Sequence, residues 1–113
     1  MAYDQALAER VRAAVAGEAG VTERAMFGGL AFMLDGHMFC GIVGDELMLR
    51  LGAEGADAAL ARPHVRPMDF TGRPLAGMVF VAAAGLRGGA LLRWVEQAAA
   101  FARALPPKRP ARP

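Results

Sequence analysis

The sequence predicts an α+β domain of two layers, with helices packed on an antiparallel sheet in the order α-βββ-α-β-α. Two observations support this prediction. Both ends of the chain repeat their apolar residues at helical spacing. Between them, apolar runs are separated by Asp35-Gly36 and Gly44-Asp45, two dipeptides typical of tight hairpin turns. With 113 residues, 55% of them hydrophobic, the chain is long enough for one core.

The first helix is predicted over residues 4–16. Tyr3, Leu7 and Val11 recur there at helical spacing, and Asp4 is a suitable N-cap. Glycines that follow the last apolar position end the helix. The two turn signals then bound three predicted strands: residues 29–34, 37–43 and 46–51.

The second half of the chain alternates helix, loop, strand and helix. A short helix over residues 53–62 is stopped by Pro63. Residues 63–77 hold three prolines and two glycines and are predicted to be mostly loop. A fourth strand, residues 78–82, and a last helix, residues 88–105, complete the pattern. Residues 1–107 thus form one predicted domain, followed by a basic, proline-rich tail at 108–113 that is expected to be disordered.

The excess of basic over acidic residues lies at the C-terminal end of the chain. The isoelectric point near 9.3 is in the range of nucleic-acid-binding proteins. Three of the 13 basic residues, Lys108, Arg109 and Arg112, lie in the tail, and the other ten are balanced by 11 acidic residues. A nucleic-acid partner would therefore have to be bound through this tail, together with Arg66 and Arg73.

Three features of the sequence predict a cytoplasmic protein. No apolar run reaches the roughly 18 residues that a membrane span needs. The first residues do not have the basic start and apolar centre of a signal peptide. The single cysteine, Cys40, cannot form an intramolecular disulfide, as is usual for a reducing compartment.

The turns also predict which strand residues share a face of the sheet. Leu34 is expected opposite His37, and Met33 opposite Met38. Further along, Ala31 is expected opposite Cys40, and Met38 opposite Leu51. One face is then the predicted core: Gly29, Ala31, Met33, Met38, Cys40, Ile42, Leu47, Leu49 and Leu51. The other face holds Leu30, Phe32, Leu34, His37, Phe39, Gly41, Met48 and Arg50. His37 and Cys40 fall on opposite faces, so they are not expected to share a metal or to form a nucleophile–base pair.

The second face is too apolar for a face exposed to water. A terminal helix or the loop at residues 63–77 could cover it, or a second copy of the chain or another protein could. A small-molecule pocket is a further alternative. If a partner covers it, the candidate interaction surface is Leu30, Phe32, Phe39, Met48 and Arg50, with Trp94 and Phe101 from the last helix.

A second candidate surface lies in the predicted loop. Two arginines, a carboxylate and an aromatic ring there could recognise a partner: Arg66, Asp69, Phe70 and Arg73. Alternatively, Asp69 and Arg73 could pair and hold the loop together. Neither glycine-rich phosphate-binding motif is present, and a chain without serine excludes a serine hydrolase. No catalytic residue, cofactor or metal is predicted, and an enzyme would need Arg50, His37, Asp69 or Arg73 to converge in an apolar cleft.

Three segments of the chain resemble the N-terminal domain of the TfoX/Sxy family of competence regulators. They are RAMFGGLAFMLDGHMFCGI, RPMDFTGRPLAGMVFV and WVEQAAAFARALPP, and their most specific parts are Met26-Phe27-Gly28-Gly29, Met68-Asp69-Phe70 and Gly72-Arg73-Pro74. The resemblance covers residues 4–107 and implies a secretion-chaperone-like α+β fold with a regulatory role and no catalysis. Competence regulators of the family have a second, helical domain, which this chain is expected to lack. The expected function is a non-enzymatic regulatory or protein-interaction module that forms a homodimer.

Overall fold

The computed structural model describes residues 3–26, 28–69 and 74–105. Its helices are α1 (Gln5–Val15), α2 (Gly52–Leu60) and α3 (Ala90–Ala104), with a short 3-10 turn at Ala83–Leu86. Its strands are β1 (Val21–Met26), β2 (Gly29–Leu34), β3 (His37–Val43), β4 (Glu46–Arg50), β5 (Val65–Asp69) and β6 (Pro74–Val81). None of these helices is long and apolar enough to cross a bilayer.

The six strands form one antiparallel sheet in the order β1-β2-β3-β4-β6-β5. Buried residues of all three helices join buried strand residues in a single hydrophobic cluster, the main core. The helices therefore pack on the same face of the sheet, and the predicted α+β class with two layers is confirmed.

Short sequence signals predicted the positions of several helices and strands correctly. The Asp4 carboxylate accepts a hydrogen bond from the Leu7 amide at 3.1 Å, so Asp4 is the N-cap of α1 as predicted. The bounds of β2 and β3 are also those predicted. Asp35 and Gly36 both have positive φ, 52° and 87°, which is the conformation that a type I′ turn requires.

Two strands were not predicted. The segment of β1, VTERAM, has Glu23 and Arg24 at its centre and no apolar alternation. Residues 63–77 were predicted to be mostly loop, yet they contain β5 and the start of β6. Pro67 is tolerated in β5 because β5 is an edge strand, and one of its sides has no hydrogen-bonded neighbour.

The ladder between β2 and β3 shifts by one residue. The pairs next to the turn are those predicted: Leu34 with His37 and Met33 with Met38. Beyond them Phe32 pairs with Cys40, so Phe39 has no partner and is the extra residue of a β-bulge. Phe39 and Cys40 consequently both belong to the main core, although neighbours in a regular strand point to opposite faces.

This bulge reverses the predicted faces of β2 relative to β3 and β4. The predicted pair of Ala31 and Cys40 is wrong, because Ala31 pairs with Gly41. The prediction that His37 and Cys40 lie on opposite faces is also wrong. Their partners on β2, Leu34 and Phe32, are two residues apart and share one face.

The ladder between β3 and β4 follows the prediction more closely. Its pairs are those that a turn at Gly44-Asp45 implies: Val43 with Glu46, Ile42 with Leu47, and Cys40 with Leu49. The predicted pair of Met38 and Leu51 is not formed, because β4 ends at Arg50. The register of β3 and β4 was therefore predictable from the turn alone, since no bulge interrupts it.

The glycine pair at the start of β2 has a structural role. Gly28 has a φ of +75°, a conformation that side chains other than glycine rarely adopt. A Cβ on Gly29 would lie 2.1 Å from the carbonyl oxygen of Ile42, so any side chain there would collide with backbone. The two glycines thus allow the chain to turn into β2 and to pack closely on β3.

The bulge leads to a testable difference between two aromatic residues and a methionine. Phe32 and Phe39 are 0% exposed in the main core, so replacing either by alanine should lower the free energy of unfolding by about 3–5 kcal/mol. Met33 is half-buried on the opposite face, and Met33→Ala should cost about 1 kcal/mol. Urea unfolding followed by circular dichroism measures all three. Equal small losses would contradict the core position of the two rings.

The position of Cys40 predicts slow reaction with thiol reagents. Cys40 is 0% exposed, and burial raises the pKa of its thiol well above the usual range, so the reactive thiolate is not available in the folded protein. Labelling with a chromogenic disulfide reagent should be on the order of 10³-fold slower in buffer than in concentrated urea. In buffer the reagent reaches the thiol only when the protein transiently unfolds. Complete labelling in buffer within the mixing time would contradict the burial of Cys40.

Candidate interaction surface

Four residues of the predicted interaction surface lie in the main core instead. All four are at most 8% exposed: Leu30, Phe32 and Phe39 lie on the sheet under the helices, and Trp94 lies on α3 facing the sheet layer. They cannot touch a partner while the domain is folded, so this part of the prediction is wrong. The alternative that a terminal helix covers these residues is confirmed, because α3 contacts β2, β3 and β4 and α1 packs against α3.

The other three residues of that prediction lie elsewhere. Met48 is 3% exposed in a second, smaller hydrophobic cluster. The Arg50 guanidinium lies over the ring of Phe101, 5.7 Å from its centroid, and both residues are half-buried. This contact is a cation–π interaction between the end of β4 and α3. By register Arg50 shares the face of Met48, because it pairs with Met78, whereas its guanidinium contacts Phe101 of α3.

The predicted recognition loop is in part a strand. Arg66 lies in β5, and the backbone of Asp69 pairs with that of Pro74. Arg66 donates two hydrogen bonds to the Glu46 carboxylate, and its guanidinium lies 4.5 Å from the centroid of the Phe80 ring. The side chain of Asp69, together with Phe70 and Arg73, lies outside the described residues.

The sheet face that points away from the helices is rich in methionine. Cross-strand partners share a face, so the registers of all six strands identify its members. All six methionines among the described residues belong to it, and we call it the methionine face: Met26, Met33, Met38, Met48, Met68 and Met78, with Ala31, Val43 and Phe80.

The centre of the methionine face is a compact cluster. Met48, Met68 and Phe80 are 2–3% exposed, and Met38, Val43 and Met78 pack around them half-buried. All six are strand residues, so no helix of the described chain contributes to this cluster. The face therefore combines a packed apolar centre with partly accessible methionines around it.

Methionine suits a surface that must meet another surface. Its unbranched side chain and polarizable sulfur adapt to irregular partners, and it is enriched in protein interfaces. Charged residues border the apolar centre. The Arg66–Glu46 pair lies on the β5 side, where the Arg66 guanidinium covers the ring of Phe80, and Arg24 lies on β1 at the opposite edge. An apolar centre with a polar rim is the usual composition of an interface.

Of the two residues first considered for chemistry, Cys40 lies in the core as predicted, whereas His37 lies on the same side of the sheet and not on the opposite one. Cys40 is enclosed by the main core, and His37 is half-exposed at the start of β3. Across residues 3–26, 28–69 and 74–105, no three His, Cys, Asp or Glu side chains group closely enough to hold a metal ion.

Sequence reasoning missed the methionine face because β1 and β5 were not recognised and β2 was assigned to the wrong face. One signal was available in the sequence. Met33 and Met38 face each other across the Asp35-Gly36 turn, and that pair was predicted correctly. The prediction placed the pair in the core, because an apolar pair gives no indication of which layer will cover it.

Comparison with known proteins agrees with this architecture at the level of the family. The family model of the TfoX N-terminal domain matches residues 13–102, which run from α1 to α3 and include all six strands. No curated protein and no solved structure matches the chain. The match extends over most of the chain, and the chain therefore belongs to the TfoX N-terminal domain family.

Proposed function

We propose that this protein is a small regulatory module of the cytoplasm, without catalysis of its own, that acts by binding protein. Its first partner is a second copy of itself, bound through the methionine face. Membership of the TfoX N-terminal domain family supports a competence-regulator-like role. The methionine face is the observation on which the proposal rests.

The sheet has two apolar faces and the described helices pack on one of them. A face exposed only to water would be expected to alternate toward polar residues. The methionine face instead keeps Met48, Met68 and Phe80 almost fully buried by their own neighbours, with more methionines around them. Contact with a partner would remove the remaining apolar surface from water, which is the main favourable contribution to association.

A second copy of the chain is the partner that fits this surface without further assumptions. In a symmetric dimer the same patch appears on both sides of the contact, so methionines of one protomer would meet methionines of the other. Six strands spaced by about 4.8 Å and about five residues long give a footprint of roughly 24 by 17 Å. A footprint of this size is toward the small end of specific interfaces, so we expect a dimer of micromolar rather than nanomolar affinity.

The oligomeric state in solution tests the proposal. Wild-type protein at about 100 μM should have twice the monomer mass in size-exclusion chromatography with light scattering, because this concentration exceeds a micromolar dissociation constant. Met38→Glu should give a monomer, since it would place a charge in the apolar contact.

Leu92→Glu is the matched control for this experiment. Leu92 is 44% exposed on α3, on the helix layer, so its replacement should leave the dimer intact. Circular dichroism of both variants verifies that they are folded. A monomeric wild-type protein at this concentration, or a Met38→Glu variant that stays dimeric, would contradict association through the methionine face.

A further inference from the structure

The strand β1 is an open edge of the sheet. It is the first strand in the order, and within the described residues it pairs only with β2. Its four central residues, Thr22 to Ala25, are exposed. The opposite edge strand, β5, contains Pro67, which has no N–H to offer to a further strand. Of the two edges, β1 is thus the one that can accept another strand.

The register identifies which backbone groups of β1 face outward. The Asp35 N–H donates to the Gly20 carbonyl at 3.3 Å, which makes this pair a hydrogen-bonded pair just before β1 begins. Hydrogen-bonded pairs alternate along an antiparallel ladder. Val21, Glu23 and Ala25 therefore direct their N–H and C=O groups away from β2, toward the open side.

A groove lies alongside this edge on the helix side of the sheet. Its volume is about 620 Å³, and it is bounded by the end of α1 and by β1. Val15, Val21 and Phe32 give it an apolar part, and Arg12, Glu18 and Glu23 a charged part. Val21 and Glu23 pair with Leu34 and Phe32, so their side chains are on the helix side, where the groove lies. Alternate side chains of an added strand would point into this groove.

The charges on β1 differ in whether they already have partners. Glu23 accepts two hydrogen bonds from Arg12, at 2.7 and 2.9 Å, and this pairing lowers the pKa of the Glu23 carboxyl. Arg24 points to the opposite face and has no ion-pair partner in the described part of the chain. A strand added to β1 would thus gain most from an acidic residue opposite Arg24, since opposite charges across strands are stabilising.

Two other occupants fit this edge poorly. In a continuous sheet formed by two copies of β1, the longest symmetric registers place Glu23 against Glu23 or Arg24 against Arg24, and like charges directly opposite are destabilising. Residues 106–113 follow α3, whose Arg103 is bonded to Glu18 near the start of β1. Four of these eight residues are proline, which cannot donate to a ladder.

We propose that β1 and the adjoining groove bind an extended peptide of another protein as a seventh, antiparallel strand. The backbone of Val21, Glu23 and Ala25 would hold the peptide, which is the general basis of affinity in strand addition. The groove would take apolar side chains, and Arg24 would select an acidic residue between them. This site adjoins the methionine face at Arg24 but goes beyond the proposed function, because it requires no dimer.

A synthetic five-residue peptide of alternating valine and glutamate tests the proposal, with a valine–lysine peptide as the charge control. On titration to millimolar concentration, the amides of Val21, Glu23 and Ala25 should become protected from hydrogen exchange, while those of Thr22 and Arg24 stay as they were. This alternation follows from the ladder and would not arise from binding elsewhere. No change at β1 with either peptide would overturn the proposal.

Three variants with different expected effects sharpen this test. Ala25→Pro removes one outward N–H without removing a bond to β2, and should weaken the valine–glutamate peptide about tenfold; Ala25→Val keeps the donor and should not. Arg24→Glu should reverse the preference toward the valine–lysine peptide, by about fivefold in each direction.

These variants distinguish strand addition at β1 from peptide binding at another surface of the domain. Binding unchanged by Ala25→Pro, or a charge preference unchanged by Arg24→Glu, would contradict the site at β1. If Ala25→Pro does not fold, the charge reversal and the exchange pattern of the wild-type protein still decide the question. Repeating the titration with Met38→Glu keeps the result independent of whether the protein is a dimer.

Discussion

The β-bulge at Phe39 sets the composition of both sides of the sheet. One unpaired residue in β3 places Phe39 and Cys40 in the same layer and brings Phe32 opposite Cys40. Without the bulge, the leucines and the phenylalanine of β2 would lie on one face of the sheet. Ile42 of β3 and Leu47 of β4 would then lie on the other face. The bulge therefore collects the branched and aromatic side chains under the helices and leaves the methionines on the other side.

The two faces that result have different physical characters. The helix-covered face is filled with leucine, valine, isoleucine and phenylalanine side chains, many of them 0% exposed, as expected of a close-packed core. The methionine face has a buried centre surrounded by flexible, partly accessible side chains. The close-packed core on the helix side gives the sheet a fixed shape. The flexible methionine side chains on the other side can adapt to partner surfaces of different shape.

Charged residues link the elements of the domain. Arg12 connects α1 to β1 through Glu23, and Arg103 connects α3 to the segment between them through Glu18. Arg62 lies over Trp94, 4.5 Å from the ring centroid, and so connects the end of α2 to α3. Glu23 is held by Arg12, whereas the neighbouring Arg24 is exposed and has no ion-pair partner among the described residues.

The α+β class, the N-cap of α1, both hairpin turns and the pairing of β3 with β4 were predictable from the sequence, because each depends on residues close together in the chain. The family resemblance was visible there too, and the match to residues 13–102 confirms it. The folded sheet was needed to show that Phe32 is core and Met38 is not. A bulge shifts the ladder by one residue without a distinctive local signal, and a shift of one residue moves every side chain beyond it to the other face. The edge strands β1 and β5 likewise depend on the assembled sheet, since it is the neighbouring strand that gives such polar or proline-containing segments their hydrogen bonds.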